Sequence, residues 1–248
     1  MFRPRLTAKS YMILFLAFLV ILAGRQGGDY GVLFLPVSTS LLTAVIADLI
    51  IDYFKSRKFK VSSSAVITGL IIALVMSPRQ NPAYYILASL LAILSKHFLR
   101  IAKRQIFNPA GFGLLATAII FPVTLSWAGQ VNNWFIIAVG AFVVYQIKRF
   151  PVLIGYLLAM AMLLIGYALV NHAGIFDYLP VINLFFVFVM LIEPMTSPLE
   201  SLQGWLFGII VALAGFIFYL YLPQFDFAIS GLLIGNLSNL FLRRLKKR

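Results

Sequence analysis

Apolar segments dominate this chain and constrain its fold more than any other feature of the sequence. Of its 248 residues, 62% are hydrophobic and 11% are charged, whereas about a quarter of the residues in a soluble domain are charged. A water-soluble globule of this size cannot bury so much apolar surface, so the sequence predicts an all-α integral membrane protein. The apolar segments cover residues 10–24, 31–54, 61–76, 83–101, 109–124, 134–147, 151–170, 179–192, 204–222 and 225–242.

The lysines and arginines favour about ten transmembrane helices, although several segments are shorter than the roughly 20 residues that usually span a bilayer. With both termini in the cytoplasm, 18 of the 20 basic residues face the cytoplasm, and only Arg25 and Arg79 face outward. Such an excess of positive charge is typical of cytoplasmic loops. We therefore expect a multi-pass protein of the plasma membrane with cytoplasmic N and C termini.

Composition also excludes several classes of protein. The net charge of +13 follows the loops, so it predicts contact with anionic lipid headgroups and not with nucleic acid. The chain has no cysteine, no Gly-rich dinucleotide fingerprint and no P-loop, so NAD(P)H, ATP and iron–sulfur chemistry must reside on other chains. The first segment follows basic residues as a signal peptide does, but no small-x-small cleavage site follows it, and we expect it to be retained.

A weak internal repeat relates the two halves of the chain. Residues 108–115 align with residues 226–233 at an offset of 118, and Ser77-Pro78 aligns with Ser197-Pro198 at an offset of 120. Both pairs lie five crossings apart, and an odd number of crossings predicts two inverted five-helix repeats. The repeats would cover about residues 10–124 and 134–242 of a single membrane domain, 1–248. Chance matches are common in apolar sequence, so the alternative is that no repeat exists.

The start of the fifth segment is a candidate anion site. Asn108 precedes Pro109, which suits the first turn of a helix that Asn108 can cap. With Ala110 and Gly111 it presents N–H donors and the positive end of a helix dipole, which attract a phosphate. Thr68-Gly69, in the short third segment, offers a hydroxyl and a close backbone approach. The alternative, which the residues alone favour, is a plain capped helix.

Two carboxylates are candidate cation ligands. Glu193 closes the eighth segment and is followed by Pro194 and Pro198, which predict an unwound backbone with free carbonyls. Asp48 lies in the second segment, one turn before Asp52. A carboxylate inside a membrane costs free energy unless it has a partner. Either residue is therefore a candidate to bind a cation or a proton. The alternatives are an ion pair between Glu193 and a loop lysine, and a structural ion pair at Asp48, which we favour.

A series of motifs in this order and spacing resembles the NqrB/RnfD family, over the chain from about residue 61 to the C terminus. The family comprises membrane subunits of the Rnf ferredoxin:NAD+ oxidoreductase and of the sodium-translocating NADH:quinone oxidoreductase. The motifs occupy residues 66–74, 96–98, 106–114, 121–122 and 192–198, with Gly204 and Gly208, and residues 235–241.

The resemblance implies a ten-helix bundle similar to urea transporters, and a flavin-carrying membrane subunit of a redox-driven Na+ or H+ pump. In the family a covalent flavin is attached to threonine in a Ser-Gly-Ala-Thr motif after the fifth helix. Here residues 121–133 contain Thr124 and Ser126 but no such motif, so we expect a non-covalent flavin, FMN or riboflavin. Glu193 stands where the family usually has aspartate before proline.

These features together predict a non-autonomous membrane subunit of an Rnf/Nqr-like oxidoreductase complex. Electrons would pass through flavin, held by Thr68, Gly69 and residues 108–111, or to quinone, and Glu193 and Asp48 would serve an ion. The partners would be subunits with NAD(P)H, ferredoxin, iron–sulfur or flavin domains. One alternative is a small-solute channel or transporter of urea-transporter-like fold without a redox role, and another is a scaffold that anchors a soluble reductase.

Overall fold

Helices form most of the computed structural model, which describes residues 7–27, 30–57, 59, 61–101 and 104–243. Within these residues a two-stranded antiparallel hairpin, β1 (Arg100–Ile101) and β2 (Arg104–Gln105), separates the fourth and fifth of nine α-helices. The helices are α1 (Ala8–Gln26), α2 (Tyr30–Ser56), α3 (Ser63–Val75), α4 (Pro82–Phe98), α5 (Pro109–Ile120), α6 (Asn133–Ile147), α7 (Phe150–Val170), α8 (Ser201–Tyr221) and α9 (Phe227–Leu242).

The predicted all-α fold is confirmed, and four of the helices are long and apolar enough to cross a membrane. These are α1, α2, α7 and α8, whereas α3, α5, α6 and α9 are shorter apolar helices. Large apolar side chains remain exposed on the outside of the bundle, including Phe34 at 75% and Trp134 at 81%. Apolar exposure of this extent is rare on soluble monomers and is typical of a surface in contact with lipid.

The eighth apolar segment differs from the other nine because it does not form an α-helix. It contains one 3₁₀ turn, Leu179–Val181, and a five-residue π-helix, Phe186–Met190. Residues 185–192 are all buried, at 5% exposure or less. Protein rather than lipid surrounds this segment, so its irregular backbone can find hydrogen-bond partners within the bundle. A tenth spanning helix is therefore not visible in the described part of the chain.

Side-chain caps determine where several helices begin. Asn108 Oδ1 accepts a hydrogen bond of 3.0 Å from the Gly111 amide at the start of α5. Asp226 Oδ1 accepts one of 2.9 Å from the Ile229 amide at the start of α9. Each cap satisfies an amide that has no partner within its own helix, so α5 and α9 begin in the same way.

The predicted orientation rests partly on residues outside the described ones. Nine of the 18 basic residues assigned to the cytoplasm lie there: Arg3, Arg5, Lys58, Lys60, Lys103, Arg244, Lys246, Lys247 and Arg248. The cytoplasmic placement of the termini therefore stays a prediction.

Candidate functional site

A small cavity lies between the two halves of the chain. It has a volume of about 80 Å³ and is bounded by the first turns of α1, α3 and α5, the end of α6, and the backbone that follows the π-helix. Its walls are mostly apolar, with a few polar groups. The lining residues are Lys9, Met12, Ser64, Ile67, Thr68, Ile71, Asn108, Pro109, Ala110, Ile147, Val189, Glu193, Pro194 and Met195.

The cavity brings together five of the eight residues that the sequence singled out. The predicted anion site contributes Thr68, Asn108, Pro109 and Ala110, and the predicted cation site contributes Glu193. These residues are up to 125 positions apart in the chain. Residues of the two separately predicted sites therefore line one cavity.

The other three predicted residues lie elsewhere. Gly69 faces α2, where a Cβ atom would lie 2.7 Å from Leu41 Cα. Gly111 faces Met190 and Ile229, where a Cβ would meet side-chain carbons at 3.5 and 3.6 Å. Asp48 belongs to a separate charged cluster.

Glu193 has a single side-chain hydrogen bond, in which Thr196 Oγ1 donates to Glu193 Oε2 at 2.9 Å. Lys9 lines the same cavity, but no ion pair joins Glu193 to any lysine or arginine among the described residues. The expected alternative, an ion pair with a loop lysine, is not formed within that part of the chain. One carboxylate oxygen therefore retains coordination capacity beside the cavity.

The backbone after Glu193 is unwound, as the two prolines predicted, but its carbonyls are not free. The Arg149 guanidinium donates to the Pro194 carbonyl at 3.1 Å and to Ser197 Oγ at 2.9 Å. Asn239 Nδ2 donates to the Thr196 carbonyl. The prediction of free carbonyls was wrong because distant polar side chains occupy them.

Asn108 is a link between three parts of the fold. Its Oδ1 caps α5, its Nδ2 donates to the Met190 carbonyl at 3.2 Å, and its backbone amide donates to Asn236 Oδ1 at 2.8 Å. The amides of Gly111 and Phe112 already bond to Asn108. Fewer donors remain for an anion at this helix start than the sequence suggested, and the capped-helix alternative describes the residue well.

Asp48 is 1% exposed and belongs to an ion-pair cluster through Oδ1, whereas its Oδ2 has no hydrogen-bond partner among the described residues. Its Oδ1 accepts from Lys96 Nζ at 2.7 Å and lies 2.6 Å from His97 Nε2. Lys96 also donates to Ser62 Oγ at 3.1 Å, and Lys55 Nζ lies 3.3 Å from His97 Nδ1. Asp48 thus forms an ion pair, as the favoured alternative predicted, and the structural role of this pair stays a prediction. The ammonium groups of Lys96 and Lys55 disfavour a metal ion between Asp48, Asp52 and His97, although these three residues lie close together.

The sequence did not predict that Lys96 and His97 are the partners of Asp48. Two basic residues in succession at the end of an otherwise apolar segment, with an acid near the end of another, were the available signal. The sequence does not show that α2 and α4 are neighbours, so the partner of Asp48 could not be assigned.

The exposed apolar helices define a multi-pass α-helical membrane protein. The model of the NQR2, RnfD, RnfE family matches residues 2–134. Because this match covers more than half of the chain, the chain belongs to that family.

A curated relative agrees with the family. It is the RnfD-type subunit of the proton-translocating ferredoxin:NAD(+) oxidoreductase complex of Clostridium ljungdahlii, 27% identical over 92 residues, which are 36% of this chain and 28% of the relative. The alignment thus spans under a third of that relative. The family match begins upstream of residue 61, where we placed the start of the resemblance, and ends before the motifs at residues 192–198 and 235–241.

Proposed function

We propose that this chain is a membrane subunit of an Rnf/Nqr-type electron-transport complex, and that Glu193 binds a small cation, Na+ or H+, in the cavity between its two halves. The observation that carries the proposal is the convergence of Glu193 with Thr68 and the start of α5 on one small cavity. Family membership supports the complex, and the carboxylate with a free oxygen supports the ion.

The volume of the cavity favours a small ion over an organic ligand. A water molecule occupies about 30 Å³ in the liquid, so about 80 Å³ holds a cation with one or two waters. Pockets for organic ligands and cofactors are usually about 300–1,000 Å³. Hydroxyl and carboxylate oxygens, such as those of Ser64, Thr68 and Glu193, are suitable ligands for a hard cation.

The residues predicted to seat a flavin do not fit one in this structure. The cavity is several times too small, Asn108 is used by its own helix and by Met190, and Gly69 faces α2. We therefore derive no step through a flavin at these residues. That the subunit carries a non-covalent flavin at another place stays a prediction, as does electron transfer to quinone.

We also propose the inverted repeat of about residues 10–124 and 134–242, with ten crossings and a urea-transporter-like bundle. The matching caps of Asn108 and Asp226 support it. So do Gly113 and Gly231, 118 positions apart, which allow close contact of α5 with Ala88 and Ala92 of α4 and of α9 with Val211 and Gly215 of α8. In both cases the contacted residues are four apart. The eighth segment would then be the counterpart of α3.

Purification of the tagged chain from its native membranes in mild detergent tests the assignment to a complex. We expect co-purifying chains with iron–sulfur, flavin or nicotinamide-binding domains, identified by mass spectrometry against an untagged strain. The visible absorption spectrum of the same preparation tests for flavin. Recovery of the chain without any enriched redox protein would contradict the complex.

Reconstitution of that complex with the Glu193→Gln variant tests the ion site. We expect ion movement driven by electron transfer to fall by about tenfold or more, measured as uptake of radioactive sodium and as a pH change inside liposomes. Glu200→Gln is the matched control, since it removes a glutamate outside the cavity and should transport normally. Normal transport by Glu193→Gln would exclude the ion site while leaving the complex assignment intact.

A further inference from the structure

Three arginines from distant parts of the chain, Arg104, Arg149 and Arg243, lie close enough for their charges to act on one another, and two of them contact the unwound backbone after Glu193. Arg149, between α6 and α7, donates to the Pro194 carbonyl at 3.1 Å, and Arg243, after α9, donates to the adjacent Met195 carbonyl at 3.4 Å. Arg104 lies in β2, four residues before Asn108, which bonds to Asn236 of α9. The hairpin, the α6–α7 turn and the end of α9 thus present one group of guanidinium ions.

These arginines have no counter-charge in the part of the chain that the structure describes. The ion pairs there involve Asp48 and Asp52 with Lys96 and His97, and none includes Arg104, Arg149 or Arg243. Burial, together with the positive charges of Arg104 and Arg243, lowers the pKa of Arg149. Three like charges in this arrangement repel one another, and a bound anion would relieve that repulsion.

The group still has many free donors. A guanidinium carries five N–H groups. Arg149 uses three for the Ser197 hydroxyl and the carbonyls of Ile147 and Pro194, and Arg243 uses one. No described residue accepts a hydrogen bond from the Arg104 side chain. Arg149 is also the first residue before α7, and no side chain caps that helix, so its first amides add positive potential.

The three arginine side chains differ in how exposed they are. Arg104 is exposed, Arg243 is half-buried, and Arg149 is 5% exposed. An anion at the surface can therefore contact Arg104 and Arg243 directly, with Arg149 further inside. Arginine forks match the oxygen geometry of phosphate and bind it through paired hydrogen bonds.

We propose that Arg104, Arg149 and Arg243 form a binding site for a phosphate group. This chemistry is shared by the headgroup of an anionic phospholipid and by a free phosphate. The location at the ends of apolar helices, where headgroups lie, is suited to the lipid. Because Arg149 and Arg243 also hold the carbonyls after Glu193, the bound phosphate would steady the backbone that positions this carboxylate.

Lipid binding to the purified full chain tests the site. Native mass spectrometry would measure retention of phosphatidylglycerol, with phosphatidylcholine as the zwitterionic comparison and inorganic phosphate as a competitor at constant ionic strength. For the double variant Arg104→Gln/Arg243→Gln we expect about tenfold weaker binding of phosphatidylglycerol. Arg57→Gln is the matched control, because Arg57 is exposed after α2 and lies over the Tyr53 ring; it should bind like the wild type.

The two sources of phosphate give different results. Displacement of the lipid by millimolar inorganic phosphate would show that a free phosphate suffices, and resistance to it would show that the site requires a lipid. Equal binding of the two lipids without any effect of phosphate, or normal binding by the double variant, would overturn the proposal. Arg104→Gln alone repeats the test if the double variant does not fold, since the Arg104 side chain makes no hydrogen bond within the described residues.

Discussion

Two acidic residues of this protein, Asp48 and Glu193, differ in how completely their surroundings compensate their charge. The Oδ1 atom of Asp48 contacts two basic side chains, Lys96 at 2.7 Å and His97 at 2.6 Å. Glu193 accepts one side-chain hydrogen bond, from the Thr196 hydroxyl, and lines a cavity. Both lie in apolar segments of the chain, and their sequence contexts gave each the same two interpretations.

The difference separates a structural carboxylate from one available to a ligand. Although Asp48 Oδ2 accepts no hydrogen bond, the charge of Asp48 is already balanced by basic partners that would repel a cation, and removing one partner leaves the others uncompensated. A carboxylate with one neutral partner and open space beside it can accept a cation without breaking existing contacts. Pairing and free volume, and not burial alone, thus distinguish the two roles.

The largest expected effect is the loss of stability in Asp48→Asn. This change removes the carboxylate that pairs with Lys96 and His97, and we expect the free energy of unfolding to fall by about 3–5 kcal/mol. Glu193→Gln removes no ion pair and should change it by about 1 kcal/mol or less. Chemical denaturation of the purified protein in detergent, followed by circular dichroism, measures both.

Asp52→Asn is the matched control for this comparison. Asp52 lies one turn from Asp48, is partly exposed, and approaches His97 Nδ1 only to 4.0 Å, so its loss should cost less than about 1 kcal/mol. If Asp48→Asn were as stable as the wild type, the cluster would not be structural. If Glu193→Gln lost as much as Asp48→Asn, the contrast between the two residues would not hold.

The sequence predicted much of this picture, because the relevant signals are local. Neighbouring residues predict the cap at Asn108 and the unwound backbone after Glu193. Composition predicts the all-α membrane class. Contacts between distant segments do not. The approach of Lys96 to Asp48 and of Arg149 to Pro194 depends on which helices are neighbours, and one sequence does not contain that information.

The eighth segment shows a second limit of sequence interpretation. Its apolar run predicted a spanning helix, yet it forms a π-helix with all of residues 185–192 buried. Hydrophobicity alone does not distinguish a segment surrounded by lipid from one surrounded by protein. The presence of Pro180 and Asn183 was the local signal against a continuous helix.

Two glycines, Gly69 and Gly111, differ in how closely neighbouring atoms approach them. A Cβ on Gly69 would lie 2.7 Å from the Leu41 backbone of α2, in the half that contains Asp48. Gly69→Ala should therefore destabilise the protein by about 1–3 kcal/mol. A Cβ on Gly111, on the side of the π-helix, would make ordinary contacts at 3.5 Å or more.

Gly111→Ala should accordingly remain within about 1 kcal/mol of the wild type, aided by the better helix propensity of alanine. The same denaturation experiment measures both variants. Equal tolerance at the two positions would indicate that α2 and α3 can separate, and that their contact is no tighter than the contact of Gly111 with Met190 and Ile229.

The smallest expected effects concern the cap that connects α5 to the cavity. Asn108 caps its helix and also donates to the Met190 carbonyl, whereas Asn132 makes a single, exposed cap bond of 3.0 Å to the Phe135 amide. We expect Asn108→Ala to cost about 1–2 kcal/mol and Asn132→Ala about 0.5–1 kcal/mol. The excess measures the bond to Met190, which ties the start of α5 to the backbone leading to Glu193. An equal loss in the two variants would mean that this bond does not position Glu193, and that the cavity keeps its shape through apolar packing alone.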